Sequence, residues 1–248
     1  MTETNTRHED LLAGHVGGWT AELEDERSAR PLFFERFAAM VAVPAERGAL
    51  SPAERALIGV GVLGNVANTN WPRLDAHAQL ALRVGASWDQ VRDVLQLVSI
   101  MSIHAMTAGV PALVRVLEER GIAPVRELDE RRRELKEDFM RRRGYWHQTW
   151  DDVLMMDPDM FEAYTAFSTA AADEGSLDTR LRELIYIAID CVPTHLYVPG
   201  VEIHSRKALD AGATPEQILT AIEIAALLGA DPYLEAVKGA QRLPQRTA

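Results

Sequence analysis

The sequence predicts an all-α protein built from two tandem, pseudo-symmetric repeats offset by 127 residues, and three observations carry that prediction. First, the chain aligns with itself at one shift. Gly17 and Trp19 fall on Gly144 and Trp146, Phe34-Glu35 on Phe161-Glu162, Leu50 on Leu177, Arg55 on Arg182, Leu57-Ile58 on Leu184-Ile185, Pro72 on Pro199, His77 on His204, and Gly85-Ala86 on Gly212-Ala213. Second, helix-start signals recur at matching places in the two copies. Third, the alternating apolar pattern of strands is nearly absent.

Taken in order, a short helix is expected around 33–40, followed by one opening at Ser51-Pro52-Ala53-Glu54, where an N-cap, an N1 proline and an early glutamate precede an apolar run to Leu63. The next helix carries His77 and ends at Gly85, a residue free to take the left-handed cap. Ser87-Trp88-Asp89-Gln90 reads as a capping box for a third, apolar helix. Residues 126–143, dense in Arg, Glu, Asp and Lys, read as a charged connecting helix. The second copy repeats the scheme: a short helix around 160–167, an N-cap at Asp178 leading into 181–189, a helix with His204 ending at Gly212, and a capping box at Thr214-Pro215-Glu216-Gln217. The expected organisation is a first repeat at 1–125 with a degenerate site, the connecting helix at 126–143, and a second repeat at 144–248 with the working site.

Composition limits the function. The chain has 248 residues, 26 Lys plus Arg against 37 Asp plus Glu and a formal charge of -11, a surface that repels phosphate backbones; neither nucleic acid nor an anionic membrane is an expected partner. The arginine triplets at 131–133 and 141–143 are interleaved with acids and read as a solvated or subunit-facing face. Cys191 is the single cysteine, so no intrachain disulfide or thiolate zinc cluster can form. With no basic, apolar leader at the start, a cytoplasmic location is expected. Uninterrupted apolar stretches fall short of the roughly 18 to 20 residues needed to span a bilayer, since even 218–230 holds Glu223, and membrane insertion is not expected. No phosphate-binding glycine loop and no G-x-S-x-G elbow is present.

Chemistry concentrates between Glu183 and His204, where an apolar helix runs through a proline-broken connection holding Asp190, Cys191, His195 and Tyr197 into a helix with Glu202 and His204. Desolvation at such a junction can raise a carboxyl pKa and bring an imidazole into range for acid-base work near pH 7. The first copy keeps the frame and loses the chemistry: Glu183 corresponds to Ala56, Cys191 to Gly64, His195 to Asn68, Tyr197 to Asn70 and Glu202 to Asp75, while His204 remains as His77.

The run Arg182-Glu183-Leu-Ile, then Glu202-x-His204-x-x-x-Ala208-Leu209-x-Ala-Gly212-Ala213-Thr214-x-Glu216-x-Ile218, resembles the core of the carboxymuconolactone decarboxylase and alkyl-hydroperoxidase D superfamily. The first copy matches more loosely through His77, Ala81, Leu82, Gly85, Ala86 and the stretch Gly109-Val110-Pro111-Ala112. The resemblance implies an all-helical bundle whose single-domain members form hexamers of dimers, so that a two-repeat chain forms a homotrimer. In the peroxidase branch a C-x-x-C pair precedes the histidine; here those positions are Tyr197 and Gly200, or Asn70 and Arg73, and two-cysteine peroxidase activity is excluded. The decarboxylase branch implies a cofactor-independent lyase or isomerase acting on a small carboxylate or unsaturated lactone. His204 would then be the general acid-base and Glu183 its partner, with Tyr197, His195 and Glu202 as substrate contacts. The alternative is a catalytically silent, oligomeric scaffold of the same fold.

Each residue also has a structural reading. His204 and Glu183 could serve only packing, Glu202 a surface salt bridge, and His104 a core or interface position late in a helix. Cys191 reads as a small buried hydrophobe, and Trp19 and Trp146 as packing anchors. His77, His104, Asp75 and Glu54 lack metal-ligand spacing, and no metal is expected.

Overall fold

A computed structural model describes residues 3–65 and 70–240, and among them every regular element is a helix. In chain order these are α1 (Glu3–His15), α2 (Ala21–Ala29), α3 (Pro31–Arg47), α4 (Pro52–Gly64), α5 (Trp71–Arg83), α6 (Trp88–Ile100), α7 (His104–Glu119), α8 (Glu130–Arg143), α9 (Thr149–Met156), α10 (Pro158–Asp173), α11 (Thr179–Asp190), α12 (Val198–Asp210), α13 (Pro215–Ala226) and α14 (Asp231–Ala240). Short 3₁₀ turns at Met101–Ile103 and Leu227–Ala230 link α6 to α7 and α13 to α14.

The capping chemistry forms as the sequence reads. Ser51 and Glu54 make a reciprocal capping box, as do Thr214 and Gln217, and Asp178 accepts from Leu181 N at 2.8 Å. Gly85 and Gly212 take φ of +103° and +88°, and Gly144, which ends α8, takes +76°. The connecting helix begins at Glu130, capped by Asp129. The short helices expected at 33–40 and 160–167 are the middles of α3 and α10, which run 17 and 16 residues. Prolines at their first turns extend both N-terminally. The helices α1 and α2 were outside the sequence expectation because they are polar, and Leu12 and Leu23 are their buried anchors.

Contacts divide the chain into two compact units that cut across the repeat boundaries: residues 1–95 with 177–248, and residues 96–176. In the first, α4 and α11 pack on each other, on α5 and α12 respectively, and both on α13. Residues 56–63 of α4 and 183–190 of α11 are buried without a break, so these are core helices wetted on no face. Gly61 permits their close approach, since a Cβ there would stand 3.0 Å from Ile185 Cγ2 and 3.5 Å from Ile189 Cδ1. A second cluster joins Leu12, Leu23, Phe34, Phe37 and Val41 to Leu227 and Leu234. The repeats share a core because equivalent helices bury their apolar surface against each other.

In the other unit, α7 packs on α9 and α8 on α10. Phe139 is the fully buried residue of the charge-rich α8, surrounded by Trp146, Trp150 and Phe161 at ring separations of 5.6, 5.0 and 5.4 Å. Trp19 and Trp146 are packing anchors in both units. Each donates its ring N–H to a carboxylate five residues on, Glu24 at 2.9 Å and Asp151 at 3.0 Å, and each meets its equivalent phenylalanine, Phe34 or Phe161, at 5.9 or 6.0 Å.

The continuous helical stretch Trp88–Glu119 contains an 18-residue window of mean hydropathy 1.7, long and apolar enough to cross a bilayer by composition, although no single unbroken apolar run reaches that length. A 3₁₀ turn at Met101–Ile103 and Pro111 interrupt its regularity. His104 opens α7 after that turn and is half-buried; it does not lie late in a helix.

Candidate active site

The helices α11 and α12 form an antiparallel pair whose facing residues follow from helical spacing. Glu183, Tyr186 and Asp190 occupy i, i+3 and i+7 of α11, while Gly200, His204 and Lys207 occupy i, i+4 and i+7 of α12. Across this seam His204 Nδ1 lies 2.6 Å from Glu183 Oε2, and Lys207 Nζ lies 2.7 Å from Glu183 Oε1. The Tyr186 ring stacks on the His204 imidazole with centroids 4.5 Å apart. Glu183 and His204 are 2% and 5% exposed, so the pair is held in a dry setting.

Burial alone would raise the Glu183 pKa. The hydrogen bond and charge of His204, followed by those of Lys207, outweigh it and hold the carboxyl down to about 2. A carboxylate only accepts, so His204 Nδ1 carries the hydrogen and Nε2 is the nitrogen that can exchange a proton with a ligand.

Seven residues further along α11, Asp190 has the opposite fate. Burial, and then the charge of Glu183, push its carboxyl up to about 8, leaving it protonated at neutral pH. Its Oδ1 lies 3.8 Å from His195 Nε2, beyond hydrogen-bond reach, and burial lowers the pKa of His195, so at neutral pH this contact is not an ion pair. Gly200 is the only residue that fits opposite Asp190, because a Cβ there would fall on the Asp190 carboxylate and 2.7 Å from Tyr197 Cδ1. The junction therefore holds two carboxyls on one helix face with pKa values driven apart, the pattern that separates an acid from a charge-stabilising partner.

The structure brings Glu183 and His204 together and places His195 and Tyr197, both half-buried with rings 6.0 Å apart, at the Asp190 end of the seam. Glu202 is not part of it. Two residues from His204, it points to solvent on another face and pairs with Arg206 at 3.4 Å. Cys191 is half-buried, less enclosed than the sequence suggests; burial and then the Asp190 charge push its thiol up to about 11, so it stays protonated and weakly nucleophilic. The sequence reading passed over Tyr186 and Lys207 and gave Asp190 no role of its own, although the i, i+3, i+7 spacing from Glu183 and the i+3 spacing from His204 put all three on the seam.

In the first copy His77 keeps the place of His204, but its Nδ1 lies 3.1 Å from the Arg73 carbonyl in place of a carboxylate. Ala56, Gly59, Leu63 and Leu80 stand where Glu183, Tyr186, Asp190 and Lys207 stand in the second copy. Arg73, the counterpart of Gly200, is buried in an ion pair with Asp231. Asn68, the counterpart of His195, lies outside the described residues.

Two helical repeats sharing one core, with a buried carboxylate-imidazole pair on the seam of the second, define a class of fold and site. The chain belongs to the carboxymuconolactone decarboxylase family, whose model it matches over residues 31–119 and 158–242. It is similar to a solved structure from Burkholderia xenovorans LB400 described as a "putative gamma-carboxymuconolactone decarboxylase subunit", with a TM-score of 0.89, 36% identity and 96% of each chain covered. No curated protein matches the sequence significantly.

Proposed function

We propose that the protein is a cofactor-independent lyase of the carboxymuconolactone decarboxylase type, acting on a small unsaturated lactone or activated acid, with His204 as general acid-base and Glu183 as its orienting partner. The observation that supports this most is the 2.6 Å Glu183–His204 hydrogen bond in a buried seam. On a γ-carboxylated unsaturated lactone the bond to the carboxylate breaks, carbon dioxide leaves, and the bonding pair enters a conjugated dienolate. His204, held as an imidazolium by Glu183, then gives its Nε2 proton to carbon and becomes neutral, and solvent returns a proton to Nε2. Tyr197 and His195, half-buried at the Asp190 end of the seam, provide donors suited to lactone or carboxylate oxygens. By the same reading three chains assemble, each replacing one dimer of a hexameric single-repeat relative.

The test is ultraviolet-monitored turnover of 4-carboxymuconolactone by wild type, His204→Gln and Glu183→Gln, each checked for folding. His204→Gln is expected to lose about 10²- to 10⁴-fold in kcat, the range for a positioned general acid. Turnover undiminished in folded His204→Gln would remove the histidine from the mechanism. Absence of turnover in wild type would favour the scaffold reading, to which the stacking of Tyr186 over His204 lends support.

A further inference from the structure

A cavity of about 210 Å³ opens among α1, α3, α4 and α5, beside the histidine of the first repeat. Its wall is largely apolar, with Leu11, Val41 and Leu80 among the lining side chains. Gly59 creates the space. In the second copy Tyr186 occupies this position and covers His204, whereas at Gly59 even a Cβ would stand 2.8 Å from His77 Cδ2.

His77 lines this recess and is 7% exposed. Its Nδ1 faces the Arg73 carbonyl at 3.1 Å, and because a carbonyl only accepts, that nitrogen bears the hydrogen and Nε2 presents a lone pair. His15, also in the wall, has its Nε2 3.2 Å from Arg73 Nη2. Burial and then the Arg73 charge keep both rings neutral, lowering His77 to about 4 and His15 well below its ordinary value. Arg55, the cation in the lining, has its Nη1 on the Leu50 carbonyl at 2.5 Å. An apolar cavity of about 150 Å³ is enough to take benzene.

We propose that the first repeat holds a second ligand site, centred on His77, that binds a neutral monocyclic phenol with its hydroxyl donating to His77 Nε2. The site does not depend on lactone turnover at His204.

Titration of the full-length protein with phenol, toluene and benzoate, by calorimetry and by nitrogen NMR of the imidazoles, tests it. Phenol is expected to bind about five- to tenfold tighter than toluene, the worth of one hydrogen bond, and benzoate more weakly than either. That preference should vanish in His77→Phe, persist in His204→Gln, and be accompanied by a shift of the His77 Nε2 resonance. Ala56→Leu, which fills the cavity, should abolish binding of both phenol and toluene. An absence of phenol binding to wild type, or an unchanged phenol-to-toluene ratio in His77→Phe, overturns the proposal. Should His77→Phe not fold, a wild-type Nε2 resonance unmoved by saturating phenol overturns it equally.

Discussion

Glu183 remains ionised in a setting that would neutralise an isolated carboxyl, and its cost is offset by two donors, His204 at 2.6 Å and Lys207 at 2.7 Å. The pH consequence follows from the sign of the shift. The folded-state pKa, about 2, lies below the ordinary 4.5, so the stabilisation is complete above about pH 4.5 and is lost as pH falls toward 2. Glu183→Gln is therefore expected to cost about 3 kcal/mol at pH 7, with the gap from wild type closing between pH 5 and pH 2. Thermal melts of both proteins across that range provide the check. A gap as wide at pH 2 as at pH 7 would mean that Glu183 stabilises by packing alone.

At the scale of helices, Gly61 decides how closely α4 and α11 can pack. Valine there would drive its carbons into Ile185, Ile189 and Val94, whose nearest atoms already stand 3.0 to 3.5 Å from a bare Cβ. Gly61→Val is expected to lower stability by about 1–3 kcal/mol. Gly109 of α7 has open space around it, and Gly109→Ala is expected to raise stability by about 0.5–1 kcal/mol. Urea unfolding at constant m-value measures both; a Gly61→Val protein as stable as wild type would show that the α4–α11 contact is slack. These helices also show what a sequence can and cannot disclose. The caps at Ser51, Asp178 and Thr214 are local chemistry and were legible, as was the 127-residue offset. The pairing of Glu183 with His204 was legible because a carboxylate in an apolar helix demands a partner. The protonation of Asp190, the stacking of Tyr186 and the cavity beside His77 depend on which faces meet after packing, and no local pattern encodes that.

For the whole molecule, a formal charge of -11 sets the surface against polyanions, and the partner proposed here is another copy of the chain. Leu32, Phe33, Met40 and Val43 share one side of α3 by helical spacing, and all are at least two-fifths exposed in the single chain, while Phe34, Phe37 and Val41 on its other side are buried. Apolar side chains exposed along one helix side mark an interaction surface more often than a wetted one. If three chains assemble as proposed, each of 27.5 kDa, light scattering should read about 82 kDa across a tenfold dilution in the micromolar range. If the α3 stripe is the covered surface, Met40→Glu should lower that mass while leaving the helical circular-dichroism spectrum unchanged, because Met40 is 48% exposed in the single chain. A wild-type mass near that of one chain would sink the trimer. A trimer undisturbed by Met40→Glu would move the interface from α3 to other exposed apolar residues, such as Leu196 and Val198 beside the Asp190 end of the seam.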